Sequence, residues 1–173
     1  MNRFDKVLGY LNAMGFKPDK DNFEDRLIVQ KTVCLLKLLG FELDYSFNSL
    51  YIRGPYCPEL TNDLYEYKTA KFPTPTEQEK IKLNELKELS NELNPTMLEI
   101  MGTYAFLVHG LKKNEKEAIL TLKKLKSFYS ESDFAVGMSK AKQLFLKLSK
   151  KEIEEIKKEG EDWEQASLSD TRE

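Results

Sequence analysis

The side chains suited to covalent chemistry are few: one histidine, His109, and two cysteines, Cys34 and Cys57. A cysteine becomes a nucleophile when a nearby cation or a helix N-terminus favours its thiolate. Cys57 lies just ahead of Pro58 and Glu59, residue types that open helices, so a Cys57–His109 pair would describe a cysteine-dependent hydrolase. Their spacing gives no reason for the two to meet. The simpler expectation is two free, structural thiols, and a His109 that sits one residue before Gly110 and complements the dipole at a helix end. The sequence has no zinc-ligand spacing and no G-x-x-x-x-G-K-[ST] or G-x-G-x-x-G phosphate loop. The acidic run "DKDNFED", with Asp19, Asp21, Glu24 and Asp25, lacks the central glycine and the distant glutamate of a calcium loop and reads as the first turn of a helix. The expectation is a chain that is not an enzyme, with no catalytic, cofactor-binding or metal-binding residues.

Binding chemistry is better represented. Around the corner in "NSLYIRGPYCPEL", Tyr45, Phe47, Tyr51, Arg53 and Tyr56 are the residue types that anchor protein interfaces. Gly54 frees the backbone to turn, Pro55 fixes its own φ and pushes Gly54 away from the helical region, and Pro58 admits the next helix. Lysines at 112, 113, 116, 123, 124 and 126 form an alternative nucleic-acid patch, Lys112, Lys113, Lys116, Lys123, Lys124 and Lys126. With it goes a winged-helix-like reading in which the hairpin is a wing and the protein a DNA-binding transcriptional regulator. A net charge of -2 at pH 7 argues against wrapping DNA by bulk electrostatics. The helix before the hairpin is also leucine-rich and can spare few polar side chains for base edges. Interspersed Glu and Lys read most simply as solvated helix faces.

The elements that must carry these residues are mostly helical. Phe4, Val7, Leu8, Leu11 and Met14 line one face and Gly15 ends it; residues 24–39 are apolar on nearly every side, the pattern of a helix buried all round, closed by Gly40. "FELDYSF" alternates strictly, which predicts a half-buried strand that Asn48-Ser49 turns into "LYIR". Pro58 starts a helix with Leu60, Leu64 and Tyr67 as its stripe; Thr76 with Glu79 caps the one carrying Leu83, Leu86, Leu89 and Leu93. Asn94-Pro95 opens a long one through Leu111, and the pairs Asn114/Glu117, Ser130/Asp133 and Ser149/Glu152 mark three more starts. The fold class is mostly α: a single helical domain of seven or eight helices over 1–148, with a small antiparallel β-hairpin at about 41–53 after the second helix, then a C-terminal helix and frayed tail over 149–173. In 173 residues, no apolar run reaches the ~18 needed to span a membrane, and the N-terminal stretch lacks a signal-like apolar core, so a cytoplasmic protein is expected.

The order of these pieces, "RLIVQKTVCLLKLLGFELDYSFNSLYIRGPYCPELTNDLYEY", resembles the YwgA-like proteins and, more distantly, the Panacea antitoxin (SocA-like) domains. Gln30, Lys31, Gly54 and Pro55 carry the match, within a Leu-x-x-Gln-Lys segment at Leu27–Lys31 and the Gly-Pro corner. The likeness extends loosely over residues 22–147. It implies a mostly helical regulatory domain, antitoxin- or adaptor-like, that works through contact with a protein partner such as a toxin. It says nothing of the chain beyond 148.

Overall fold

The structure, a computed structural model, describes residues 2–51, 53–68, 71–146 and 150–170. Among them, eight α-helices run in chain order: α1 (Arg3–Ala13), α2 (Phe23–Leu38), α3 (Pro58–Glu66), α4 (Glu77–Leu89), α5 (Pro95–Ala105), α6 (Glu115–Leu125), α7 (Glu131–Phe145) and α8 (Lys150–Asp170). A π-helical turn, Phe106–Gly110, continues α5, and two short strands, β1 (Leu50–Tyr51) and β2 (Gly54–Pro55), stand between α2 and α3. The fold is mostly α with a small antiparallel hairpin after the second helix, as the periodicities predict.

The helix starts are chemical. Thr76 and Glu79 form a reciprocal capping box; the side chains of Asn94, Asn114 and Ser130 accept from the amides of Met97, Glu117 and Asp133; Pro58 and Pro95 stand in first turns. The Ser149/Glu152 cap lies outside the described residues. The acidic run is the entry to α2, where Asn22 accepts from the Asp25 amide and Asp25 in turn accepts from the amide of Asp19.

Two helices share the centre. Residues 27–36 of α2 and 97–105 of α5 are buried without interruption, and α5 packs against α2 on one side and α7 on the other. Leu35, Leu36, Leu98, Ile100 and Met101 are among the least exposed members of the core. Gly137 lets α7 approach: a Cβ there would lie 2.3 Å from Ile100 Cγ2.

The hairpin is shorter and later than the alternation suggests. β1 and β2 pair Leu50 with Pro55 and Tyr51 with Gly54, so the strands end at Tyr51 and resume at Gly54, and the Gly-Pro corner is itself the second strand. "FELDYSF" forms no strand, yet its alternation is real: Leu43 and Tyr45 are buried while Glu42, Asp44 and Ser46 are exposed. Its carbonyls take side-chain donors instead of a ladder partner: Lys6 Nζ donates to Glu42 O at 2.9 Å, Arg3 to Asp44 O at 3.4 Å, and Lys37 to Tyr45 O. An extended chain with one buried face satisfies period two whether or not a second strand is present.

The C-terminal helix, α8, extends to Asp170. Among the described residues no helix is long and apolar enough to cross a membrane.

Candidate functional site

Five residues of α2 fall on one face at helical spacing, Phe23, Arg26, Leu27, Gln30 and Lys31, and this face meets the hairpin. Between them is a groove of about 410 Å³, closed on the other side by Tyr51, Arg53, Gly54 and Tyr56. Phe23 is 52% exposed and Tyr51 50% exposed. The Arg26 and Arg53 guanidiniums lie 5.7 and 5.3 Å from the Phe23 ring centroid, and Tyr51 and Tyr56 meet edge to face at 5.7 Å. The nine lining residues include three cations and no acid.

The floor of the groove is rigid because α2 holds the corner by side chains. Gln30 Oε1 accepts from the Cys57 amide at 2.9 Å, and Gln30 Nε2 donates to Cys57 O at 2.8 Å and to Thr61 Oγ1 at 2.9 Å. Lys31 Nζ donates to Pro55 O at 2.8 Å. Gly54 has φ +92°, and a Cβ on it would lie 2.3 Å from Thr103 Oγ1 and 3.5 Å from Lys31 Nζ, so only glycine fits both the conformation and the space. Gln30, Lys31, Gly54 and Pro55 thus form one assembly.

Behind the corner is a buried ionic cluster. Glu99, its side chain 2% exposed, takes Lys126 Nζ at 2.5 Å on one carboxylate oxygen; on the other it takes the Tyr129 hydroxyl at 2.7 Å and lies 3.7 Å from Arg53 Nη1. Burial lowers the pKa of Lys126, opposed by Glu99, and raises that of Tyr129, helped by Glu99. Lys31 is pushed down to about 8, by burial first and then by the charge of Lys126, against smaller pulls from Cys34 and Glu99. Arg53 joins this interior to the surface: it pairs with Glu99 and stacks on Phe23.

Of the expected interface residues, Tyr51, Arg53 and Tyr56 line the groove. Tyr45 does not. It is 2% exposed and donates its hydroxyl to Asp63 Oδ2 at 2.7 Å, with Arg3 over its ring, so it is a core residue. Phe47 is half-buried beside Cys34 and Phe106, lining a separate cavity. Among the lysines, Lys112, Lys116 and Lys124 are exposed and Lys113 is half-buried. Lys123 is paired with Glu131 at 3.0 Å, and Lys126 is fully buried against Glu99, so it is no part of a surface patch.

Cys57 is fully buried and donates to Glu59 at 3.3 Å; burial, its largest influence, raises the thiol pKa. His109 lies inside the π-helical turn, stacked on Phe145 at 4.2 Å, its pKa lowered by burial and by Lys112. It stands in the last turn, one residue before Gly110. Cys34 is buried and its thiol pushed up to about 12 by burial.

Phe23 and Arg26 carry no motif of their own in the sequence, although their spacing with Leu27, Gln30 and Lys31 is a legible helical stripe. Glu99, Lys126 and Tyr129 left no such signal, because their contacts span 27 and 30 residues of chain. No family model, no curated protein and no solved structure matches the chain.

Proposed function

We propose that this chain is a cytoplasmic, non-catalytic regulatory module that binds a protein partner through the groove between α2 and the hairpin, in the antitoxin- or adaptor-like manner that its resemblance to YwgA-like and Panacea domains implies. The observation that carries this reading is the groove's composition: exposed aromatic rings stacked with arginines over a floor fixed by Gln30 and Lys31. Aromatic and arginine side chains on a preorganised surface bring large contact area at low entropic cost. The DNA-binding alternative draws less support. Its lysines are divided between the interior, ion pairs and an exposed face that also carries Glu115 and Glu117. The cysteine-hydrolase alternative draws less still, since burial holds Cys57 in its thiol form.

Affinity capture with the tagged full-length chain tests the proposal. The expected result is one stoichiometric protein that Tyr51→Ala combined with Arg53→Ala no longer retains. Equal capture by that double variant would overturn it. So would a duplex-DNA shift with steep salt dependence that Lys123→Glu with Lys124→Glu abolishes.

A further inference from the structure

The groove presents Arg26 and Arg53, with Lys31 buried in its floor, and has no acid among its lining residues. The segment "EGEDWE", residues 159–164, has the opposite character, with Glu159, Glu161, Asp162 and Glu164 around Trp163. Trp163 is 74% exposed, the most exposed large apolar side chain among the described residues. Every described side chain of α8 is exposed. A helix that presents an indole with Glu159 one turn before it and Asp162 and Glu164 on its two flanks matches a groove that presents aromatic rings stacked with guanidiniums. The indole would lie against Phe23 and Tyr51, and the acids would meet Arg26 and Arg53, whose planar forks suit carboxylates.

We infer that a second copy of this chain docks its Trp163 segment into the groove. Each copy carries both halves of the contact, so reciprocal docking closes a two-fold dimer without leaving an open end. A net charge of only -2 per chain sets little general repulsion against it. The inference rests on reading the groove as a protein-binding surface, and it adds a regulatory consequence: the docked tail covers Tyr51 and Arg53, so partner and second copy compete.

Trp163 is the only tryptophan in the chain, so its emission reports its own burial. Sedimentation velocity and tryptophan fluorescence of the full chain, across a micromolar concentration series at low salt, should show a monomer–dimer equilibrium. Emission should shift to the blue as dimer forms, and added salt should weaken the association. Trp163→Ala and Phe23→Ala, both at exposed positions, should each weaken it by roughly tenfold or more, and Arg26→Glu likewise. Trp163→Ala, which keeps its groove, should still blue-shift the emission of Arg26→Glu, which keeps its tail. The inference is overturned by a monomer at all concentrations, by a dimer that Trp163→Ala leaves intact, or by an emission already blue and independent of concentration, which would place the tail in its own groove. Should it fail while Tyr51→Ala with Arg53→Ala still loses a captured partner, the groove serves another protein and the functional reading stands.

Discussion

Lys31 is the residue whose chemistry departs furthest from its place in a sequence pattern. In the run "LIVQKTVCLL" it looks like the one charged interruption that a helix turns to water, yet it is 2% exposed and its ammonium is spent on Pro55 O. Burial favours its neutral form, so the folded pKa, about 8, lies below the ordinary 10.5. Between those values the unfolded chain binds more protons than the folded one, and stability from this group rises with pH. Below pH 8 both states are charged and the cost of burying the ammonium is present in full. Cys34 pulls the other way, because its thiol is pushed up to about 12 and stays protonated when folded. The clean measurement is therefore a difference: in urea unfolding between pH 8 and 10, the wild type should gain stability relative to Lys31→Met as pH rises. A flat difference would mean that Lys31 keeps an ordinary pKa. Tyr45 and Lys126 teach the same lesson as Lys31. Aromatic and basic types name a surface only when nothing inside the fold can take their polar ends, and here Asp63 and Glu99 can.

Helices were legible from their ends inward. Thr76, Asn94, Asn114 and Ser130 each make the cap their sequence promises, because a cap is a contract between residues three apart. The extended segment at 41–47 was legible in its burial but not in its pairing, since alternation records a buried face and carries no information about a ladder partner. The π-helical turn at Phe106–Gly110 leaves no mark in the sequence, because the stripe from Met97 to Leu111 is continuous through it. How closely α7 lies on α5 also depends on a residue with no pattern of its own, Gly137. Gly137→Ala would gain up to about 1 kcal/mol in helix propensity. Its methyl would however sit 2.3 Å from Ile100 Cγ2 and 2.8 Å from Ile100 Cβ. Overpacking of that kind costs about 1–3 kcal/mol, so a net loss of up to about 2 kcal/mol is expected in denaturant unfolding. A stabilised variant would show that the two helices part easily.

The molecule as a whole is organised around α2 and α5, which are buried along most of their length, while the described side chains of α8 all face outward. Opening free energies should follow that gradient. Native-state hydrogen exchange should find the slowest amides in residues 28–36 and 98–105 and the fastest helical amides in α8, with α8 slowing at concentrations where the chain self-associates. Uniform protection across all helices would contradict the gradient. The groove sits on the steep part of it, one wall belonging to the most buried helix and the other to a hairpin of two residues per strand. Two side chains of α2 keep so short a hairpin in place: Lys31 donates to Pro55 O within it, and the Gln30 carboxamide both donates to and accepts from Cys57 just beyond it. A carboxamide carries no titratable proton. The Gln30 hold on the corner is therefore insulated from acidity, while the Lys31 hold is not: a change of pH reaches the hairpin wall through the bond from Lys31 to Pro55 O.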